Sequence, residues 1–107
     1  MNKYKIPEHL SAESKKTWKE LDEKFEFETH HYLLLQTALE CLDTMAECRI
    51  MLEKEGAILK NNNGHLGRHP ALSILKDNRM QFLQAWKQIG FDVDPPADVG
   101  RPGSKNT

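Results

Sequence analysis

The stretch from Thr29 to Gly56 constrains the fold more than any other part of this chain. It runs without a helix breaker from Thr29-His30-His31-Tyr32 to Lys54-Glu55-Gly56. Leu34, Ala38, Cys41, Met45, Cys48 and Leu52 recur at alternating steps of four and three, the seam of a helix packed lengthwise on another. Leu35, Leu39, Leu42 and Ala46 widen that seam to one side, while Gln36, Glu40, Asp43 and Glu47 mark the polar face. Thr29 suits the start as an N-cap and Gly56 suits the end as a stop. About 25 helical residues at about 1.5 Å each give a rod of roughly 37 Å. For a chain of 107 residues, so long a rod with so wide an apolar stripe is expected to need neighbouring copies. Leu35, Leu39, Leu42 and Ala46 are the expected oligomer interface.

Two further helices flank the rod. Met1 to Leu10 reads as an extended arm, because Pro7 disfavours helix just before it. Ser11 is a good N-cap, and Ser14, Trp18, Leu21 and Phe25 then repeat at helical spacing, giving a first helix over about residues 12–26. Phe25-Glu26-Phe27-Glu28 alternates as a short extended link. After the rod, Asn61-Asn62-Asn63-Gly64 carries a strong turn signal. The segment 57–69 reads as a polar connecting loop, with a small hairpin as the alternative. Pro70 suits the first position of a third helix, and His69 before it suits a capping role. Leu72, Leu75, Phe82, Trp86 and Ile89 make that helix's apolar face, and Gly90 is its stop. Arg79 falls inside this face and is expected to snorkel or to pair with a carboxylate of the rod, Glu47 being the nominee.

The fold class expected is all-α: three helices, with a long central helix and an antiparallel third helix forming a hairpin. Length argues for one domain, placed at residues 1–93. Phe91 and Val93 are expected to dock on it. Residues 94–107 hold Pro95-Pro96, Gly100, Pro102 and Gly103 and read as a flexible tail.

Charge and cysteine usage narrow the function. The net charge is −1, but residues 1–55 hold 8 Lys/Arg against 12 Asp/Glu, and residues 56–107 hold 7 against 4. Neither half has the basic excess of a tight, autonomous nucleic-acid binder. DNA contact therefore has to come from a local patch or from a weak patch repeated around an oligomer. Lys15, Lys16 and Lys19 lie beside the first helix's apolar stripe, aided by Lys3 and Lys5 on the arm. Lys15 and Lys16 sit near the helix N-terminus, where the dipole disfavours cations, so helix stability does not explain them. Arg68 on the loop and Arg101 and Lys105 on the tail are second choices. Cys41 and Cys48 are separated by about 10.5 Å along the rod, too far for a mutual disulfide. They read as buried free thiols, in keeping with a reducing cytoplasm. No secretory leader, transmembrane run or lipidation signal is visible, so no membrane partner is expected.

Catalytic patterns do not emerge. His30 and His31 point about 100° apart on a helix. His65 and His69 are separated by Gly67 and straddle a loop. Neither a zinc-finger spacing nor a His-Glu-x-x-His pattern occurs, so no metal and no cofactor is expected. A phosphate-binding glycine loop is absent, and the serines lack a nucleophile elbow.

The ordered set of features resembles one family, the small subunit of tailed-phage terminase of the short all-helical type. The residues that carry the resemblance are Ile6-Pro7-Glu8-His9-Leu10-Ser11 leading to Trp18, and the rod's end Leu52-Glu53-Lys54-Glu55-Gly56. They continue with His69-Pro70-Ala71-Leu72, then Lys76-Asp77 and Phe82-Leu83, and close on Gly90-Phe91-Asp92. The similarity spans about residues 6–93 and departs from the common pattern at the asparagine-rich loop. It implies a non-catalytic packaging factor in the cytoplasm of the infected bacterial host. Such proteins assemble as rings, engage double-stranded viral DNA at its packaging start and deliver it to the large terminase subunit, which holds the ATPase and nuclease. The family supplies no catalytic residues to carry over. A helical adaptor or regulator that binds only protein is the competing reading, favoured by the acidic first half. A small metal-dependent nuclease built on the histidine loop is the weakest.

Overall fold

A computed structural model of the chain describes residues 4–90. Five elements follow in order: α1 (Ala12–Lys24), α2 (Thr29–Glu55), β1 (Ile58–Lys60), β2 (Leu66–Arg68) and α3 (Pro70–Ile89). The chain is helical, as expected, with a two-stranded antiparallel hairpin between α2 and α3. The hairpin stands where a connecting loop is the plainer reading of the sequence. Asn61 closes its turn, the side-chain oxygen accepting from the Asn63 and His65 backbone N–H groups at 2.9 Å each. The expected tail and the docking of Phe91 and Val93 lie outside the described residues.

Each helix boundary has a local cause. Ser11 caps α1 by accepting from the Ser14 N–H at 3.1 Å. α1 stops at Lys24, two residues short of the expected end, because Phe25 turns extended. The N-cap position of α2 belongs to Glu28 rather than Thr29; the Glu28 N–H donates to His31 Nδ1 at 2.9 Å. Gly56 ends α2 at φ 83 and ψ 157, a region essentially reserved for glycine. His69 caps α3, its Nδ1 accepting from the Ala71 N–H at 2.9 Å, with Pro70 at the first helical position.

Two contacts give the α2–α3 orientation. His69 at the start of α3 meets Glu55 at the end of α2, 2.7 Å apart, and Gln81 lies 3.8 Å from the Cys41 sulfur. The helices therefore run antiparallel. α1 also runs antiparallel to α2: Ser11 and Ser14 meet Asp43, and Asp22 meets Tyr32. Trp18, Phe82, Leu35, Leu39 and Met45 form the fully buried centre.

This packing corrects two expectations. Leu35, Leu39 and Leu42 are 0%, 0% and 8% exposed within the single chain. The folded-back α1 brings Trp18 and Leu21, with Leu10, into one cluster with them. A flank already covered by its own chain is not a surface for a second copy. Of the four expected interface residues only Ala46 is exposed. Asp43, assigned to the polar face, is instead half-buried and joins α1 to α2. Its carboxylate accepts from the Ser11 N–H at 2.8 Å and from the Ser11 and Ser14 hydroxyls at 2.7 Å each.

Of the two readings of Arg79, the pairing with Glu47 does not form. Arg79 is half-buried, its Nε has no hydrogen-bond partner among the described residues, and Glu47 is exposed.

Aromatic rings close the turn between α1 and α2. Tyr32 stacks on Trp18 and Tyr4 at centroid distances of 5.8 and 5.4 Å, and Phe27 meets it edge-on at 5.3 Å. The Tyr32 hydroxyl donates to Asp22 at 2.7 Å. Burial, reinforced by that hydrogen bond and the Asp22 charge, pushes the hydroxyl from 10.0 up to about 12. The neutral phenol is the form the fold favours. Its contribution is complete below the unfolded value of 10.0 and is lost as pH rises toward 12. Urea titrations across that range are expected to show stability falling in the wild type and a shallower fall in Tyr32→Phe. Equal slopes would refute the assignment.

Candidate nucleic-acid interface

The sequence of α1 sorts its residues by helical period. Ser14, Trp18 and Leu21 turn inward and are buried, whereas Lys16 and Lys19 stay exposed and Lys15 is half-buried. Lys15, Lys16 and Lys19 line one shallow groove together with Ile6 and Ala12, about 440 Å³ in volume. The structure thus brings together three of the five lysines nominated first from sequence. None of them is held in an ion pair among the described residues. Asp22, on the same helix, is engaged by Tyr32.

The arm reaches the same groove. Tyr4 stacks on Tyr32, and Ile6 contributes to the groove wall. Lys5, between them in sequence, is exposed. Long amine side chains beside the apolar Ile6 and Ala12 suit a phosphate backbone, to which lysine contributes a point charge. Lys3, Arg101 and Lys105 lie outside the described residues.

Arg68 does not join this groove; it sits on β2. Strand register pairs Ile58 with Arg68 and Lys60 with Leu66, so these four side chains share one face of the hairpin. All four are exposed, Ile58 at 56% and Leu66 at 71%. Lys60 was missed by sequence reasoning. The available signal was the Asn-Gly turn between the two runs, which marks a hairpin and so sets Lys60 across from Leu66.

A second cleft lies where the start of α1 meets α2. It has a volume of about 570 Å³ and is lined by Glu13, Leu42, Asp43, Ala46, Glu47 and Ile50, among others. Its acidic rim repels a phosphate backbone. A third groove, about 520 Å³, is lined by Thr44, Cys48, Met51, Leu59, His69 and Ile74, among others. It is the more apolar of the three and includes no lysine or arginine.

Cys41 and Cys48 are buried free thiols. Burial pushes both thiols up, with Glu40 adding to the effect at Cys41 and Glu47 at Cys48, where Arg49 opposes it. A thiol held protonated is a poor nucleophile. Among the described residues no group of three or more His, Cys, Asp or Glu is placed to hold a metal ion. His69 is tied up as a cap and His65 is exposed on the hairpin turn. Among the described residues no helix is long and apolar enough to cross a membrane.

Comparison with curated proteins and with solved structures returns no match. A family model described as "Phage terminase, small subunit" matches residues 11–105. That span takes in α1, α2, the hairpin and α3. It therefore includes the lysine groove's helix and, apart from His9, the walls of the two clefts. This chain belongs to the phage terminase small subunit family.

Proposed function

We propose that this chain is a non-catalytic adaptor of phage genome packaging, which assembles as a ring, engages double-stranded DNA and delivers it to the large terminase subunit. Family membership gives the packaging role. The observation that carries the DNA contact is the groove of three lysines free of ion pairs among the described residues, with the exposed Lys5 nearby. One such patch is weak. Repetition around a ring multiplies it through effective concentration.

Exposed apolar residues, rather than the buried leucines of α2, are the surface available for assembly. Ile50, Met51, Ile58, Leu66 and Ile74 are exposed toward the end of α2, the hairpin and the start of α3, and Leu33, Met80 and Leu83 elsewhere on the two long helices. The overall shape is elongated, with extents of 58 × 33 × 20 Å and a Cα radius of gyration of 16.3 Å. A compact domain of 100 residues has a radius near about 13 Å. The extra surface is what neighbouring copies would cover.

Native mass spectrometry and duplex retention against salt test the reading together. The expected mass is several times 12.4 kDa. Three phosphate contacts per engaged subunit give a log–log salt slope of about −2.7, steeper when several subunits bind one duplex. Lys15, Lys16 and Lys19 changed together to Glu should abolish retention and leave the mass unchanged. An intact oligomer that binds no duplex at any salt would favour the protein-only adaptor, the reading the acidic cleft at Glu13 and Glu47 supports. A stable monomer at micromolar concentration would overturn ring assembly.

A further inference from the structure

The exposed face of the hairpin is an unusual surface for so small a protein. It presents two branched aliphatic side chains, Ile58 and Leu66, at 56% and 71% exposure, flanked by Arg68 and Lys60 as their cross-strand partners. Leu59, on the opposite face, is half-buried and lines the apolar groove against His69 and Ile74. His69 braces the base, its N–H donating to the Ala57 carbonyl at 2.8 Å while its Nε2 lies 2.7 Å from Glu55. The face is therefore held by its own chain and left uncovered.

The cleft between α1 and α2 has the opposite character. Leu42, Ala46 and Ile50 supply its apolar part, and Glu13 and Glu47 are exposed carboxylates at its rim. Asp43 is occupied by Ser11 and Ser14, so Glu13 and Glu47 carry its available charge. Two apolar side chains between two cations on one surface meet an apolar cleft with two exposed carboxylates on another.

We infer that the hairpin face of one copy seats in the α1–α2 cleft of the next, with Ile58 and Leu66 against Ile50 and Ala46, and Lys60 and Arg68 against Glu13 and Glu47. The contact joins two different patches, so it is head-to-tail, the type that generates rings when the rotation closes. It deepens the assembly reading above and rests on it. The aliphatic pair is what separates this partner from DNA: phosphates reward Lys60 and Arg68 but not exposed Ile58 and Leu66. In this arrangement the hairpin cations are consumed between subunits and the α1 lysines remain for the duplex.

Charge exchange tests it. Lys60→Glu with Arg68→Glu should weaken self-association at least tenfold in sedimentation velocity, and so should Glu13→Lys with Glu47→Lys. All four changes in one chain should restore the wild-type species, and mixing the two double variants should restore self-association that neither shows alone. Ile58→Ser with Leu66→Ser should also weaken assembly, while circular dichroism shows the helices retained. Variants that all sediment as wild type would overturn this contact and leave ring assembly standing. A wild type that is itself monomeric would overturn ring assembly and this contact together. Loss of duplex retention by the Lys60/Arg68 variant with its oligomer intact would assign the hairpin to DNA, against the inference. Failure of the fourfold variant to reassemble, while both double variants dissociate, would also count against it.

Discussion

Trp18→Ala is expected to lower the unfolding free energy by about 3–5 kcal/mol. The indole is 1% exposed and lies at the junction of α1 and α2. Its removal opens a cavity among Leu35, Leu39 and Tyr32 and takes away the ring stacked on Tyr32 at 5.8 Å. A domain of this size has about 5–15 kcal/mol in total, so the variant should lose a large part of its stability. Trp18→Phe separates the packing from the polar handle. Indole Nε1 has no hydrogen-bond partner among the described residues, so phenylalanine forfeits volume but no bond. Its cost should stay below about 2 kcal/mol. Urea midpoints at constant m-value read both numbers. A phenylalanine variant as damaged as the alanine variant would show that the N–H does find an acceptor.

Asp43→Ala is the second large effect, at about 2–3 kcal/mol. The carboxylate accepts from the Ser11 N–H and from the Ser11 and Ser14 hydroxyls, and hydrogen bonds to a charged group are worth about 1.5–3 kcal/mol when lost singly. These bonds share one acceptor and a half-exposed site, so their losses do not add. The location of the effect is as informative as its size. Alanine frees the start of α1 while leaving the α2–α3 pairing untouched. Hydrogen exchange should therefore accelerate in α1 ahead of α3. Asp43→Asn keeps one accepting oxygen and should fall between alanine and wild type. Uniform acceleration across all three helices would mean that α1 is not separately anchored.

Much of the architecture could be read from residues alone, because local signals and packing agree. The breaker-free run in α2, the Ser11 and His69 caps, Pro70 and Gly90 each act within one helical turn. Asp43 shows where reading fails. On a helical wheel it falls with Gln36, Glu40 and Glu47 and looks solvated; only the return of α1 gives it partners more than 25 residues away. Leu35, Leu39 and Leu42 were misjudged for the same reason. Their spacing told that the stripe was wide, not which element would lie on it. The lysine groove was legible as a triplet on one helix, but the contribution of Ile6 needed the arm's path, which Tyr4 fixes by stacking on Tyr32. Lys60 was hidden because a three-residue strand is too short for alternation to stand out from a turn.

Every helix here lies against the one next to it along the chain, α1 on α2 and α2 on α3, and the two strands are likewise neighbours. Few contacts must wait for distant segments to meet, and helical proteins with such local topology reach their native state in microseconds to milliseconds. Encounter between separate molecules is slower and set by concentration. Copies that associate as proposed would thus meet already closed, with few half-formed surfaces to stick together by mistake.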